Sequence, residues 1–298
     1  MKKTRTATNI DAIKICCTEH KQLFDSLSKE DRKDFNNYYV EVGGRYKDED
    51  GQIVEIISVI YEESLAFPLA TLKMSVNNLY SFFEMNNQAL YEVVMLSEDE
   101  KISTLTLISS IITELGLKFH NITSVEVCID MNVAALTRIK KAIKDVEGLC
   151  MYINGRRIAP NEVIPNHLRC YQTTRLRLLS HPTLYFSNYN DSLSLKCYNK
   201  GKELKDASYY KEAYITEWDE IKGHILQRIE LRIKKKELRT YCATHIMTEE
   251  ALLHGLIYDK TRRELLEWGM NRLIYFNPME VSKKKKLEKL TLFDVVGI

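Results

Sequence analysis

Three short stretches alternate apolar and polar side chains with a period of two: SVEVCID (124–130), LSLKCY (193–198) and RIELRI (228–233). Successive side chains on a strand point to opposite faces. The rule sets Val125, Val127 and Ile129 against Glu126, Cys128 and Asp130. It likewise sets Leu193, Leu195 and Cys197 against Ser194, Lys196 and Tyr198, and Ile229, Leu231 and Ile233 against Arg228, Glu230 and Arg232. Each strand buries an apolar row and presents a polar one. A polar row on one strand ordinarily just faces water. Three such rows in one sheet would converge on a surface holding carboxylates, several cations and a tyrosine.

The rest of the chain supplies the elements around these strands. VGGRYKDEDGQIVEIISVIYEE reads as two strands joined by a polar turn at Lys47 to Gly51, and LATLKMSV as another strand. Ser97 with Glu100 forms a capping box for a helix with an apolar face of Ile102, Leu105, Ile108, Ile111, Ile112 and Leu115, stopped at Gly116. Asn132 is placed to cap a helix over roughly 133–147, closed by Gly148. HPTLYFSNYNDSLSLKCYNK reads as a hairpin with its turn near Asn188 to Asp191. After LQRIELRIKK the chain turns helical, with Thr248 as an N-cap and Glu249 and Glu250 in the first turn. The fold class is α+β: a mostly antiparallel central sheet, flanking helices and a helical C-terminal segment. The expected domains are 1–235, with two similar halves meeting near 100–120, and a helical basic segment over 236–298.

Composition narrows the function classes. With 45% hydrophobic and 28% charged residues, the 298-residue chain matches a soluble globular protein. No apolar run approaches the ~18 residues of a membrane span, and no apolar core follows the basic N-terminus, so neither a membrane nor a secretory signal is expected. Seven scattered cysteines without a CxxC argue for reduced thiols and a cytoplasmic protein. No HxH or HExxH is present. Residues 1–130 hold 13 Lys and Arg against 21 Asp and Glu, whereas 131–298 hold 30 against 20. A basic back half suits a polyanion, and equally an uneven solvated surface.

The polar rows suggest a chemistry. A phenol, with a pKa of about 10, is a weak nucleophile unless cations or a metal stabilise the phenoxide. Lys196 two residues before Tyr198, Lys200 two after and Arg228 nearby would meet that need, and Glu126, Asp130 and Glu230 can hold one hard divalent cation, Mg²⁺ or Mn²⁺. Tyrosine, carboxylate-held cation and basic side chains together describe covalent attack on a DNA phosphodiester. Among other tyrosines, Tyr185 is expected to pack in the sheet and Tyr189 to sit in the turn. His181 before Pro182 reads as structural, the run Lys283 to Lys286 as a solvated helix end or a phosphate contact, and INGRR (153–157) as a turn carrying Arg156 and Arg157 outward. Cys197 points to the core.

At these residues the sequence resembles the replication initiation factor (Rep_trans) family, rolling-circle initiators of plasmids related to phage initiators and some conjugative relaxases. TSVEVCIDM is similar to a T-R-L-D-L-A-F-D strand, TLYFSNYNDSLSLKCYNKGKE to the segment ending Y-N-K-K-x-E, and QRIELRIKKKEL to a W-R-V-E-I-E-L-K strand. The resemblance covers roughly residues 70–240 and places Tyr198 at the nicking nucleophile. Arg232 replaces the second glutamate of the last strand, Ser124 a basic residue, and FSNY the family's F-G-x-R turn. The resemblance implies a nickase that opens and rejoins one strand at a replication origin through a 5′-phosphotyrosine, with origin choice in the segment after 235. Implied partners are origin duplex and single strand, host helicase and polymerase, and a second copy in a homodimer. A relaxase acting at a transfer origin uses the same chemistry, and a DNA-binding regulator without nicking activity uses the same scaffold.

Overall fold

The computed structural model describes residues 5–95, 104–145, 148–158, 170–173, 183–205, 209–215, 226–278 and 289–298. The Ser97 capping box, His181 and Lys283 to Lys286 lie outside them. Contacts divide the chain into two units, one of Met1–Asn9, Glu126–Glu237 and Asp259–Ile298, the other of Ile10–Val125 and Leu238–Tyr258. The segment after 235, expected as one helical piece, therefore contributes to both.

The strands are β1 (Thr6–Thr18), β2 (Arg32–Asp34), β3 (Tyr38–Lys47), β4 (Ile53–Glu62), β5 (Ala70–Ser75), β6 (Ser81–Met85) and β7 (Lys118–Met131). They continue with β8 (Leu149–Ile153), β9 (Arg156–Ile158), β10 (Cys170–Thr173), β11 (Thr183–Ser187), β12 (Leu193–Tyr198), β13 (Gln227–Lys234) and β14 (Ile274–Pro278). The longer helices are α1 (Lys21–Leu27), α2 (Thr104–Glu114), α3 (Ala135–Lys144), α4 (Lys235–Thr244), α5 (Glu249–Gly255), α6 (Asp259–Leu273) and α7 (Leu292–Val296). No helix among the described residues is long and apolar enough to cross a membrane.

In the unit that holds Ile10–Val125, β6, β5, β4, β3 and β2 follow β1 in antiparallel order. The β3–β4 turn closes where expected: Asp48 Oδ1 accepts from the backbone N–H groups of Asp50 and Gln52, and Gly51 takes φ +77°. Ile108, Ile111 and Ile112 of α2 are buried, and Gly116 ends that helix at φ +69°, the left-handed conformation that glycine enters without steric cost. Thr248 caps α5 by accepting from Ala251 N at 3.0 Å.

In the other unit the strand order is β10–β11–β12–β13, with the second half of β7 beside β13. Val127 and Ile129 of β7, Leu193, Leu195 and Cys197 of β12, and Ile229, Leu231 and Ile233 of β13 are all buried. Leu136 and Ile139 of α3 and Leu265, Leu266 and Met270 of α6 are buried on the helices of this unit. At Gly269 a Cβ would come within 2.4 Å of Leu231, so α6 meets the sheet at a contact that only glycine leaves clear. A second sheet, β14–β8–β9, stacks Tyr152 on Tyr275 at 4.8 Å between ring centres and turns at Asn154 and Gly155, both at positive φ.

One expectation is corrected here. Asn132 does not cap the following helix, which starts at Ala135 behind Ala134 without a side-chain cap. Its Oδ1 instead accepts from the backbone N–H of Arg5 at 2.9 Å. The amide serves the end of the strand instead of the helix.

Candidate active site

The β12–β13 register brings the two polar rows face to face. Tyr198 lies opposite Arg228, Lys196 opposite Glu230, and Ser194 opposite Arg232. Directly opposed residues of an antiparallel pair share a face. Tyr198 donates its hydroxyl hydrogen to Oε2 of Glu230 at 3.0 Å, while Lys196 Nζ donates to Oε1 at 2.7 Å. Glu230 is 5% exposed, so its charge sits out of water between a phenol and an ammonium. A buried carboxylate needs such donors.

The third row, from β7, joins this face. Asp130 and Arg228 are both fully buried and form a bidentate pair, with Nε to Oδ1 at 2.8 Å and Nη2 to Oδ2 at 2.6 Å. Asp130 is expected as a cation ligand and Arg228 as a group that stabilises the phenoxide. In the structure both oxygens of Asp130 accept from the guanidinium, so the pair braces the floor under Tyr198.

Glu126 and Glu230 bring carboxylate oxygens within 4.8 Å of each other. Two carboxylates this close form a donor set that suits a small hard cation. Arg232 lies on this pair, its Nε 3.2 Å from Oε1 of Glu126. The arginine that stands where the resembled pattern has a second glutamate therefore occupies one of the two acids.

Lys200 opens the single helical turn Lys200–Glu203 behind Asn199, whose side chain accepts from Lys202 N. It is 2% exposed, ion-paired to Glu203 at 2.5 Å, and its Nζ lies 5.8 Å from the centre of the Tyr198 ring. Burial pushes its pKa below the ordinary lysine value and the charge of Arg228 adds to that, against the pull of Glu203. Glu203 is a neighbour that sequence reasoning missed, although its place three residues after Lys200 could have signalled the pair. Cys197 is buried on the opposite face, where burial pushes its thiol up to about 12. Tyr185 pairs with Lys196 across β11–β12, and Tyr189 in the turn is 75% exposed.

Tyr198, Lys196, Glu230, Glu126, Arg228, Asp130 and Lys200 thus belong to one unit, and all but Lys200 lie on the polar rows of three strands. A hydroxyl held by a carboxylate, cations beside it and a second acid within reach of a shared ion can support nucleophilic attack on an anionic ester.

No protein-family model matches the sequence, and no curated protein matches it. Among solved structures, a rolling circle replication initiator protein from Geobacillus stearothermophilus is similar to it, with a TM-score of 0.51 at 13% identity over 99% of this chain and 98% of that one. The chain shares the fold of that initiator.

Proposed function

We propose that the protein nicks and rejoins one DNA strand at a replication origin, with Tyr198 as the nucleophile. The observation that carries this reading is the 3.0 Å hydrogen bond from the Tyr198 hydroxyl to Glu230, on a face that also holds Glu126, Lys196 and Arg232. The shared fold with a rolling circle replication initiator supports it.

In this reading Glu230 orients the phenol and accepts its proton along the existing hydrogen bond. The Tyr198 oxygen bonds to phosphorus, the bond from phosphorus to the 3′ oxygen breaks as that oxygen takes a proton from water, and Tyr198 keeps the 5′-phosphate as a phosphotyrosine. The freed 3′-hydroxyl can prime synthesis or attack the same phosphorus to reseal the strand. Lys196 and the buried Lys200 favour the developing phenoxide by charge. Arg228, fixed by Asp130, holds the strand position from which Tyr198 projects. Glu126 and Glu230 would hold Mg²⁺ or Mn²⁺, whose charge when bound polarises the phosphoryl oxygen.

The test is incubation with single-stranded DNA from the protein's own replicon and Mn²⁺, followed by a denaturing gel and peptide mapping. The expected product is a covalent adduct on Tyr198, absent with Tyr198→Phe and without divalent cation. An adduct that survives Tyr198→Phe overturns the assignment. Salt-sensitive binding with no adduct in the wild type identifies a regulator instead.

A further inference from the structure

Beyond the tyrosine site, a cavity of about 510 Å³ opens beside the β11–β12 hairpin, lined by Asn154, Asn188, Tyr189, Lys236, Asn271 and Arg272 among others. Its residues all belong to the unit of Glu126–Glu237 and Asp259–Ile298. Leu193, which also lines it, is five residues from Tyr198 along β12, so the two ends lie ~17 Å apart at ~3.3 Å per residue. The proposed chemistry uses none of these side chains.

The cavity is held in shape by its own polar network. Asn188 Oδ1 accepts from the backbone N–H groups of Ser192 and Leu193, and its Nδ2 donates to Ser192 Oγ. Asn154 Nδ2 donates to the Ser187 carbonyl at 3.3 Å, and Glu237 accepts from Ser192 Oγ and pairs with Arg272 at 3.1 Å. Tyr189 lines the cavity and yet keeps 75% of its surface open.

We infer that this cavity receives one unstacked base of single-stranded DNA, with Tyr189 as the stacking surface. The volume lies within the range of small-ligand pockets. Bases splayed from a single strand are bound by stacking on aromatic rings and by side chains that read their edges. Lys236 and Arg272 on the wall supply positive charge for the flanking phosphates.

The inference rests on the proposed action on DNA, and the experiment separates the two. Fluorescence anisotropy in EDTA, where nicking is silent, compares a labelled 15-mer of dC with a 15-unit abasic spacer of equal charge. The wild type is expected to bind the dC oligomer about tenfold or more tightly than the spacer, within the range of one stacked base. Tyr189→Ala removes that difference, Tyr189→Phe keeps it, and Tyr198→Phe leaves it intact. Tyr189 keeps 75% of its surface exposed, and circular dichroism checks that Tyr189→Ala keeps the fold. Equal affinity of the wild type for dC and spacer, or full affinity of Tyr189→Ala for dC, overturns the pocket. If the wild type forms no adduct with Mn²⁺ but Tyr189→Ala still loses the difference, the pocket stands and the nicking reading falls.

Discussion

Arg228 and Asp130 face each other with no exposed surface, joined by two hydrogen bonds of 2.8 and 2.6 Å. Two charges taken out of water hold each other, and removing either one takes this bidentate partner from a buried charge. Asp130→Asn is expected to cost about 3–5 kcal/mol of unfolding free energy. The double substitution Asp130→Leu with Arg228→Met recovers most of it, because apolar side chains of similar volume avoid the desolvation penalty. Urea unfolding of the three proteins checks this, and a double mutant no more stable than Asp130→Asn contradicts the argument.

Arg232 makes a second prediction. Its ion pair with Glu126 is partly exposed, at 47% and 20% of the side chains, and such pairs are worth ~0.2–1 kcal/mol. Cation binding at Glu126 and Glu230 competes with that pair. Arg232→Gln is therefore expected to tighten Mn²⁺ binding about two- to fivefold, and Glu230→Gln to weaken it about tenfold or more. Electron paramagnetic resonance titration of free Mn²⁺ reads both, and unchanged affinity in both variants removes the cation from this face.

The period-two pattern carried the site's face-by-face arrangement because alternation is a local property of a strand. Leu193, Leu195 and Cys197 are buried, and Lys196 and Tyr198 meet Glu230, as the alternation implies. The roles within the face were less legible. Whether a carboxylate binds a cation or a guanidinium depends on register between strands distant in sequence, and Asp130 and Arg228 are 98 residues apart. Strand β1 was not legible as a strand, since TATNIDAIKICCT breaks strict alternation with an Ile-Cys-Cys run. The Asn132 cap failed for a related reason: Arg5, over a hundred residues away, claims the same amide.

Register itself can be checked through a thiol. A slip of one residue in β12 would turn Cys197 to the polar face and Tyr198 into the core. Cys197 is fully buried, and burial holds its thiol at about 12, with Cys17 also at about 12 and Cys242 at about 11. At pH 8 these remain thiols, which react poorly. Iodoacetamide treatment of the native protein, mapped by mass spectrometry, is expected to modify the partly exposed Cys150 and to spare Cys17, Cys197 and Cys242 until urea is added. Rapid native labelling of Cys197 would contradict the strand register on which the site depends.

Asp259 opens α6 and ties it to the N-terminal strand. Its Oδ1 accepts from Thr8 Oγ1 at 2.5 Å and its Oδ2 from Arg263 Nε at 2.8 Å. Partial burial pushes its pKa up, but these hydrogen bonds and the charges of Arg263 and Arg262 outweigh burial and leave it below the ordinary aspartate value. A carboxyl with a depressed folded-state pKa lends stability above its unfolded value, and that stability is lost as pH falls through the folded value. Asp259→Asn is therefore expected to melt lower at pH 7 by about 1–2 °C, a small effect because the side chain is half exposed and screened. The gap to wild type should close as pH falls below the ordinary aspartate range, near 3.8 and under. Differential scanning calorimetry from pH 7 to pH 3 checks the sign, and a gap that widens on acidification contradicts it.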